Sequence, residues 1–553
     1  MEATGKENLR NSSIIEIDNL SFKYNQADSY ALSNINLEVK EGELVLICGP
    51  SGCGKTTLLK QIKNLLKGQG SAEGEVRFKG CEIDSLPKKD LVSRLGYVFQ
   101  NPDNQIVCDN PITEMAFGLE NLGVEPQEIR RRIAEMASYF GLVKDLYKDV
   151  NTLSGGWKQI LNLASVMAMQ PDVLLLDEPT SMLDPVSCGE FFSIVNKLNK
   201  ELGLTIIIVE HNLESLYAMA DRVCYMEGGK LEICDSPENV ANYLIENNKK
   251  MLKALPASAI IYKDLDRSFM IDTKLPLNVR DARSFLKDYL YAYENSKGSA
   301  YTAKAFNVNK INTEPVLTAK SLFFRYNKKD NDILKDVSLS VNKGEFLSIH
   351  GDNGCGKTTL LKVLAGINKA YSGKLKTEKC AYLPQNQLLV FVKDDIHADI
   401  LYVADKNNID HRLIGDMIEK YEFFHDVPKF YGRNPLDLSC GEQQRLALFK
   451  MMLTSPEILL LDEPTKSLDS FSKEHLAGLL TELKAKGTTI VMVSHDLDFS
   501  AKYADNCAFV FDGTIISKTD SLSFFTTNHF YTTTTNRITS GIVKDVVNLE
   551  QLV

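Results

Sequence analysis

The chain has 553 residues, 44% hydrophobic and 25% charged, the balance of an ordinary soluble globular protein with room for about three or four domains. A formal net charge of −10 disfavours a general nucleic-acid-binding role. Residues 1–11 are polar and charged, and no apolar run approaches the ~18 residues of a bilayer span, so neither a signal peptide nor a transmembrane segment is expected, and any membrane role is expected to come through partner proteins. Eleven cysteines, an odd number without a Cys-x-x-Cys pair, argue against a disulfide framework or a zinc site and for a reducing cytosol.

In chain order, the first half begins with alternating apolar residues, Ile14-Ile15-Glu16-Ile17 and then Leu20-Ser21-Phe22-Lys23-Tyr24. The apolar run Leu44-Val45-Leu46-Ile47-Cys48 leads into Gly49-Pro50-Ser51-Gly52-Cys53-Gly54-Lys55-Thr56-Thr57 and Leu58-Leu59-Lys60-Gln61-Ile62. Strand, glycine loop and helix are the setting of a P-loop, in which main-chain N–H groups and a helix N-terminus cradle phosphates. Lys55 is expected to reach the β- and γ-phosphates and the Thr56 hydroxyl to ligate Mg²⁺. Next come Tyr97-Val98-Phe99-Gln100-Asn101-Pro102-Asp103-Asn104-Gln105 and Leu153-Ser154-Gly155-Gly156-Trp157-Lys158-Gln159. Ser154 reads as a helix N-cap followed by glycines that admit a close anionic ligand. The run Val173-Leu174-Leu175-Leu176-Asp177-Glu178 reads as a buried parallel strand delivering two carboxylates, Asp177 for Mg²⁺ and Glu178 for the attacking water. His211 ends the next apolar strand, where a neutral imidazole can bridge the γ-phosphate and Glu178.

The series then repeats. Gly351-Asp352-Asn353-Gly354-Cys355-Gly356-Lys357-Thr358-Thr359 follows Glu345-Phe346-Leu347-Ser348-Ile349, and Ala381-Tyr382-Leu383-Pro384-Gln385, Leu438-Ser439-Cys440-Gly441-Glu442, Ile458-Leu459-Leu460-Leu461-Asp462-Glu463 and His495 follow in the same order. Gln100 to Ser154 and Gln385 to Ser439 are both 54 residues, and Ser154 to Asp177 and Ser439 to Asp462 are both 23. Lys55 to Gln100 is 45 residues but Lys357 to Gln385 only 28, so the second copy lacks 17 residues, read as a peripheral hairpin and helix. Tyr24 and Tyr326 each lie 31 residues before the P-loop lysine, placed either to stack on an adenine ring or to pack in the core. Cys53 and Cys355, inside the two loops, read as small fillers. The chain thus divides into 13–246, a connector 247–314, 315–520 and a tail 521–553. Residues 281–290 can form one amphipathic helix within an otherwise partly ordered connector, and the Thr run of the tail favours extended chain. Since each copy already has a P-loop, Ser154-Gly155-Gly156 and Ser439-Cys440-Gly441 are read as clamps supplied in trans, each to the other copy's nucleotide.

These motifs in this order resemble the ATP-binding cassette (ABC) ATPases: aromatic loop, Walker A, Q-loop, Leu-Ser-Gly-Gly signature, Walker B, Leu-Asp loop and switch histidine. The resemblance implies an α/β fold of two tandem P-loop NTPase domains. Each would have a RecA-like core, an antiparallel β subdomain (reduced in the second copy) and an α-helical signature subdomain, and the two would form a pseudo-twofold head-to-tail pair needing no homodimer. It also implies ATP and Mg²⁺ as cofactors, Gln100 and Gln385 as additional Mg²⁺ contacts, and Ser181-Met182-Leu183-Asp184 and Lys466-Ser467-Leu468-Asp469 as loops through which the sites sense each other. Trp157, Ile160 and Cys440 depart from the family pattern, which predicts two unequal sites. A narrower resemblance, in residues 99–105, Phe117-Gly118-Leu119-Glu120-Asn121-Leu122-Gly123-Val124 and Asn528-His529-Phe530-Tyr531-Thr532-Thr533, is to the energy-coupling-factor (ECF) transporter ATPases. It implies an integral-membrane T-component and a small substrate-binding S-component as partners, vitamin or transition-metal uptake, and a peripheral place on the cytoplasmic face of the cell membrane. The alternatives are a soluble ABC ATPase acting on ribosomes or nucleic acid, similar to the ABC-F factors, and the ATPase of a sugar-type importer. Ser181-Met182 and Lys466-Ser467 stand where ABC-F proteins usually carry Asn-His.

Overall fold

The computed structural model describes residues 13–25, 27–247, 250–265, 274–297, 301, 303–304, 314–466 and 468–552, apart from the side chains of Lys250, Lys253 and Cys440. The chain forms two compact units, one of residues 1–260 with 275–278 and one of 261–274 with 279–553.

In the first unit a six-stranded sheet runs Lys230–Asp235, Arg222–Glu227, Leu44–Cys48, Thr205–Val209, Val173–Asp177, Leu95–Val98. All neighbours are parallel except the Arg222–Glu227/Lys230–Asp235 edge hairpin. The central strands are almost wholly apolar and buried at every position, because both faces of the sheet are covered, one of them by the P-loop helix and the residues of the antiparallel sheet, and no alternating polar face survives. Register then places the chemistry: Ile47 and Asp177 both pair with Val209, so the P-loop, Glu178 and His211 emerge side by side at the carboxyl ends of three strands. The second unit repeats this order with Thr514–Asp520, Asn506–Phe511, Phe346–His350, Thr489–Val493, Ile458–Asp462 and Cys380–Leu383, and again Ile349 and Asp462 pair with Val493.

A second, antiparallel sheet precedes each core. It has four strands in the first unit, Leu32–Lys40, Ser13–Tyr24, Gly70–Phe78 and Cys81–Glu82, and three in the second, Leu334–Asn342, Pro315–Phe324 and Ser372–Thr377. The short strand Cys81–Glu82 and the helix Lys88–Arg94 have no counterpart, which accounts for the shortening read from the spacings. The helical layer consists of Pro111–Asn121, Pro126–Tyr139 and Gly155–Ala168 in the first unit, and of Ile396–Lys406, Arg412–Lys420 and Cys440–Leu453 in the second.

The amphipathic helix expected within the connector is Val279–Lys297, which buries Ala282, Phe285, Leu286 and Tyr289, one stripe at helical spacing. Other connector residues, 266–273, 298–300, 302 and 305–313, lie outside the described residues. The tail departs from expectation. Instead of extended chain it forms the helices Ser521–Thr527 and Thr534–Thr539. Thr533 Oγ1 caps the second helix by accepting from Asn536 N at 3.0 Å, and Thr539 donates to the Thr535 carbonyl at 3.0 Å. Phe524, Phe525, Ile538, Val546 and Val547 are buried, and this tertiary packing outweighs the modest strand preference of threonine. The cysteines also differ in one respect: Cys224 and Cys234 form a disulfide across the edge hairpin, a local link 10 residues apart, while the other cysteines with described side chains are outside any disulfide.

Candidate nucleotide sites

In the first unit Gly54, with φ at 102°, caps the helix Lys55–Ile62, and a Cβ there would stand 2.5 Å from the Ala31 carbonyl oxygen. Gly49 is as restricted, since its Cβ would come within 2.2 Å of the Met226 oxygen. The glycines are therefore required by the path of the loop. Lys55 Nζ, buried, donates to the Gly49 and Pro50 carbonyls at 2.8 and 3.1 Å and folds the loop around itself.

Asp177 and Glu178 meet different partners. Thr56 Oγ1 donates to Asp177 Oδ1 at 2.9 Å and the Tyr97 hydroxyl to Oδ2 at 2.8 Å. Burial raises the Asp177 carboxyl above its usual range despite these bonds. His211 Nε2 lies 2.8 Å from Glu178 Oε1, and Gln100 Nε2 donates to Oε2 at 2.8 Å. Burial pushes Glu178 up, but the His211 hydrogen bond and charge more than offset it and hold the carboxyl below its usual range. Glu178 itself adopts φ 45°, a strained value for a non-glycine residue that turns the side chain out of the strand end.

The second unit reproduces these bonds. Lys357 Nζ donates to Gly351 O and Asp352 O at 2.8 and 2.7 Å, Thr358 to Asp462 Oδ1 at 3.1 Å, Tyr382 to Asp462 Oδ2 at 3.1 Å and Gln385 to Glu463 Oε2 at 2.9 Å. His495 Nε2 lies 3.2 Å from Glu463 Oε1, but it is also 3.1 Å from Asn353 Oδ1. Lys466 Nζ adds a third partner, 3.3 Å from Glu463 Oε2, at the position where the first unit has Ser181. Against the push of burial, His495 and Lys466 hold Glu463 down to about 2.

Each unit therefore holds, at the same strand ends, a P-loop lysine bonded to its own loop, a Thr–Asp–Tyr network and a Gln–Glu–His network. The Ser-Gly turns stand apart. Ser154 Oγ accepts from Trp157 N at 3.4 Å, and Ser439 forms a capping box with Glu442, so both serines serve their own helix starts. Among the described residues neither is bonded to the P-loop of its own unit. Gly155 and Gly156 open the first of these helices, and Gly441 lies in the first turn of the second. The side chain of Cys440 and all of Ser467 lie outside the described residues. The Tyr24 and Tyr326 hydroxyls lie 3.0 and 3.3 Å from Thr57 and Thr359 Oγ1, at the first turn of the P-loop helix. Tyr326 is 55% exposed, while Tyr24 is half-buried.

Tyr97 and Tyr382 were missed by reasoning from the sequence. Each stands three residues before the motif glutamine, and that shared spacing was the available signal. The hydroxyl, carboxylate and amide oxygens of Thr56, Asp177 and Gln100, and of Thr358, Asp462 and Gln385, are hard donors, a set that suits Mg²⁺ completed by phosphate and water oxygens.

A family model described as ABC transporter matches residues 32–181 and 334–466. A protein of Bacillus thuringiensis subsp. konkukian, named as an ABC transporter ATP-binding protein, is 38% identical over 543 residues, 94% of each chain. The chain belongs to the ABC transporter ATP-binding family. A Bacillus subtilis protein named as an HMP/thiamine import ATP-binding protein is 29% identical over 517 residues, 90% of each chain. The archaeal ribosome recycling factor aABCE1, solved with ribosomal stalk protein aP1, superposes with a TM-score of 0.57 at 21% identity over 91% of this chain and 90% of its own, a likeness of fold alone.

This ABC protein is an ATPase that uses ATP with Mg²⁺. Bound Mg²⁺ supplies charge neutralisation at the phosphates. Thr56 and Thr358, with Asp177 and Asp462, would hold it, and Tyr97 and Tyr382 each bond one oxygen of those aspartates. Glu178 and Glu463 would accept a proton from water in such a site, and His211 and His495 each contact one carboxylate oxygen of them. Among the described residues no helix is long and apolar enough to cross a membrane.

Proposed function

We propose that this chain is the ATP-hydrolysing motor of an ECF-type importer for vitamins or transition-metal ions. ATP closes two composite sites between the 13–246 and 315–520 cassettes and hydrolysis reopens them. The observation that carries the mechanism is the split within each unit: the catalytic cluster is complete except for a Ser-Gly clamp, and the unit's own clamp is bonded elsewhere. Ser439-Cys440-Gly441 then closes over Lys55, Asp177, Glu178 and His211, and Ser154-Gly155-Gly156 over Lys357, Asp462, Glu463 and His495. Tyr24 and Tyr326 take the adenine rings. The full-length similarity to a relative named for thiamine import supports the importer reading. The partners are a membrane T-component and a small S-component, with the chain peripheral on the cytoplasmic face. The experiment is tagged purification from membranes in mild detergent: small hydrophobic subunits should co-purify. Recovery of ribosomal proteins without them would replace the transporter reading by the soluble alternative.

A further inference from the structure

The two P-loops differ at one position in kind. Where the first has Pro50, the second has Asp352. Its main-chain oxygen accepts from Lys357 Nζ at 2.7 Å, so the residue belongs to the phosphate cradle itself. A carboxylate there is an internal anion. It can reach toward the N–H groups and ammonium that phosphates use, and it repels phosphates directly. In the structure that carboxylate is occupied: the hydroxyl of Tyr531, 179 residues further on, donates to Asp352 Oδ1.

Tyr531 is positioned by a well-packed segment. Its ring meets Phe509 edge-on at 4.8 Å. The next residues are tied back by Asn536 Nδ2, which donates to the Phe525 carbonyl and to Thr532 Oγ1, both at 2.9 Å. Phe524 and Phe525 pack on His350, the residue before Gly351, with ring centroids 5.4 and 6.0 Å away. His350 is buried, and its Nδ1 lies 2.9 Å from the carbonyl oxygen of Ser494, the neighbour of His495. Behind the segment, Arg283 of the connector helix donates to the carbonyls of Arg537, Ile538 and Ser540 at 2.6, 3.3 and 2.9 Å. The first P-loop has no polar side chain at Pro50 to receive such a bond and has Cys48 in place of His350.

We propose that the C-terminal segment is a strap that sets the nucleotide affinity of the second P-loop, with Tyr531 as the positioning residue that holds the Asp352 carboxylate out of the phosphate cradle. This rests on the loop being a nucleotide cradle, which family membership supports. Connector and tail thereby act on one site of the two.

The test uses the full chain carrying Lys55→Ala, which silences the first loop, and Glu463→Gln, which prevents turnover. Equilibrium binding of MgATP is measured with Tyr531→Phe, Asp352→Asn and both. Tyr531→Phe is expected to raise Kd roughly three- to ten-fold, the range of one ordinary net hydrogen bond, since this one is exposed to solvent. In the Asp352→Asn background the same change should alter Kd by less than about two-fold, because no carboxylate remains to restrain. In the chain otherwise unaltered, Tyr531→Phe should raise KM for MgATP and leave kcat within about two-fold. Equal weakening in both backgrounds, no weakening with Asp352 present, or a loss of kcat at unchanged KM overturns the strap. Absence of MgATP binding with Tyr531 and Asp352 both intact overturns instead the assignment of the cradle, and the strap with it.

Discussion

Glu178 has two side-chain partners, His211 at 2.8 Å and Gln100 at 2.8 Å, whereas Glu463 has those equivalents and Lys466 besides. Either glutamate changed to glutamine retains a similar shape but cannot accept a proton. Glu178→Gln or Glu463→Gln alone should lower steady-state ATP turnover by roughly 10²-fold or more while ATP remains bound, read by phosphate release and nucleotide retention on a desalting column. A full rate in either variant would remove that glutamate from the cycle. The neighbour of His211 gives a pH test. Burial lifts the Glu210 carboxyl to about 7, against the bonds it accepts from Thr180 N and Oγ1 at 3.0 and 2.7 Å. A carboxyl raised on folding contributes stability that is fully present below its unfolded value of 4.5 and lost as pH climbs through about 7. Glu210→Gln keeps the oxygen facing Thr180 and removes the titration. Between pH 5 and 8 the wild type should therefore lose up to about 3 kcal/mol relative to this variant, seen as diverging urea midpoints. Parallel midpoints would show Glu210 ionised throughout.

Among the elements, the helical layer of the second unit holds a buried ion pair that has no equivalent among the described residues of the first. Asp399 Oδ1 accepts from Val392 N and Lys393 N at 2.8 and 3.1 Å, while Oδ2 faces Lys450 Nζ; the two side chains are 1% and 3% exposed. In the first unit Glu114 makes the same two main-chain contacts, with Val107 N and Cys108 N at 3.0 and 2.8 Å, but Ser165 stands where Lys450 would be. Lys450→Met should leave Asp399 charged and buried and destabilise the second unit by about 3–5 kcal/mol, whereas Lys450→Met with Asp399→Asn should recover most of the loss. Chemical denaturation of the single and double variants measures it. An equal loss in both would assign the effect to packing of the lysine stem.

For the whole molecule, fusion of two cassettes in one chain keeps two unlike sets of residues together: Pro50 in one P-loop, with Ser181 after Glu178, and Asp352 and Asn353 in the other, with Lys466 beside Glu463. Trp157, the single tryptophan and 38% exposed, follows the Ser-Gly-Gly turn proposed to close over the second P-loop. Its fluorescence should change on adding ATP, and Lys357→Ala should abolish the change while Lys55→Ala leaves most of it. A response that survives Lys357→Ala, with nucleotide binding at that loop lost, would refute the crossed pairing.

What could be read in the chain alone was whatever is local in sequence. The strand, glycine loop and helix around Lys55 and Lys357, the carboxylates at the ends of Val173–Asp177 and Ile458–Asp462, and the shortened second sheet all follow from apolar runs and spacings, because a parallel strand buried on both faces needs every residue apolar. The stripe of Val279–Lys297 was legible for the same reason, as a 3.6-residue period. Tertiary structure decided the rest. Tyr97 and Tyr382 matter because adjacent parallel strands bring them to aspartates 80 residues away. The threonine-rich tail is helical because its phenylalanines are buried and its hydroxyls find main-chain partners. Cys224 and Cys234 meet because one hairpin register sets them opposite each other. Side-chain chemistry and period are properties of a segment. Burial and long-range partners are properties of the packed chain, and it is packing that ties Tyr531 to Asp352.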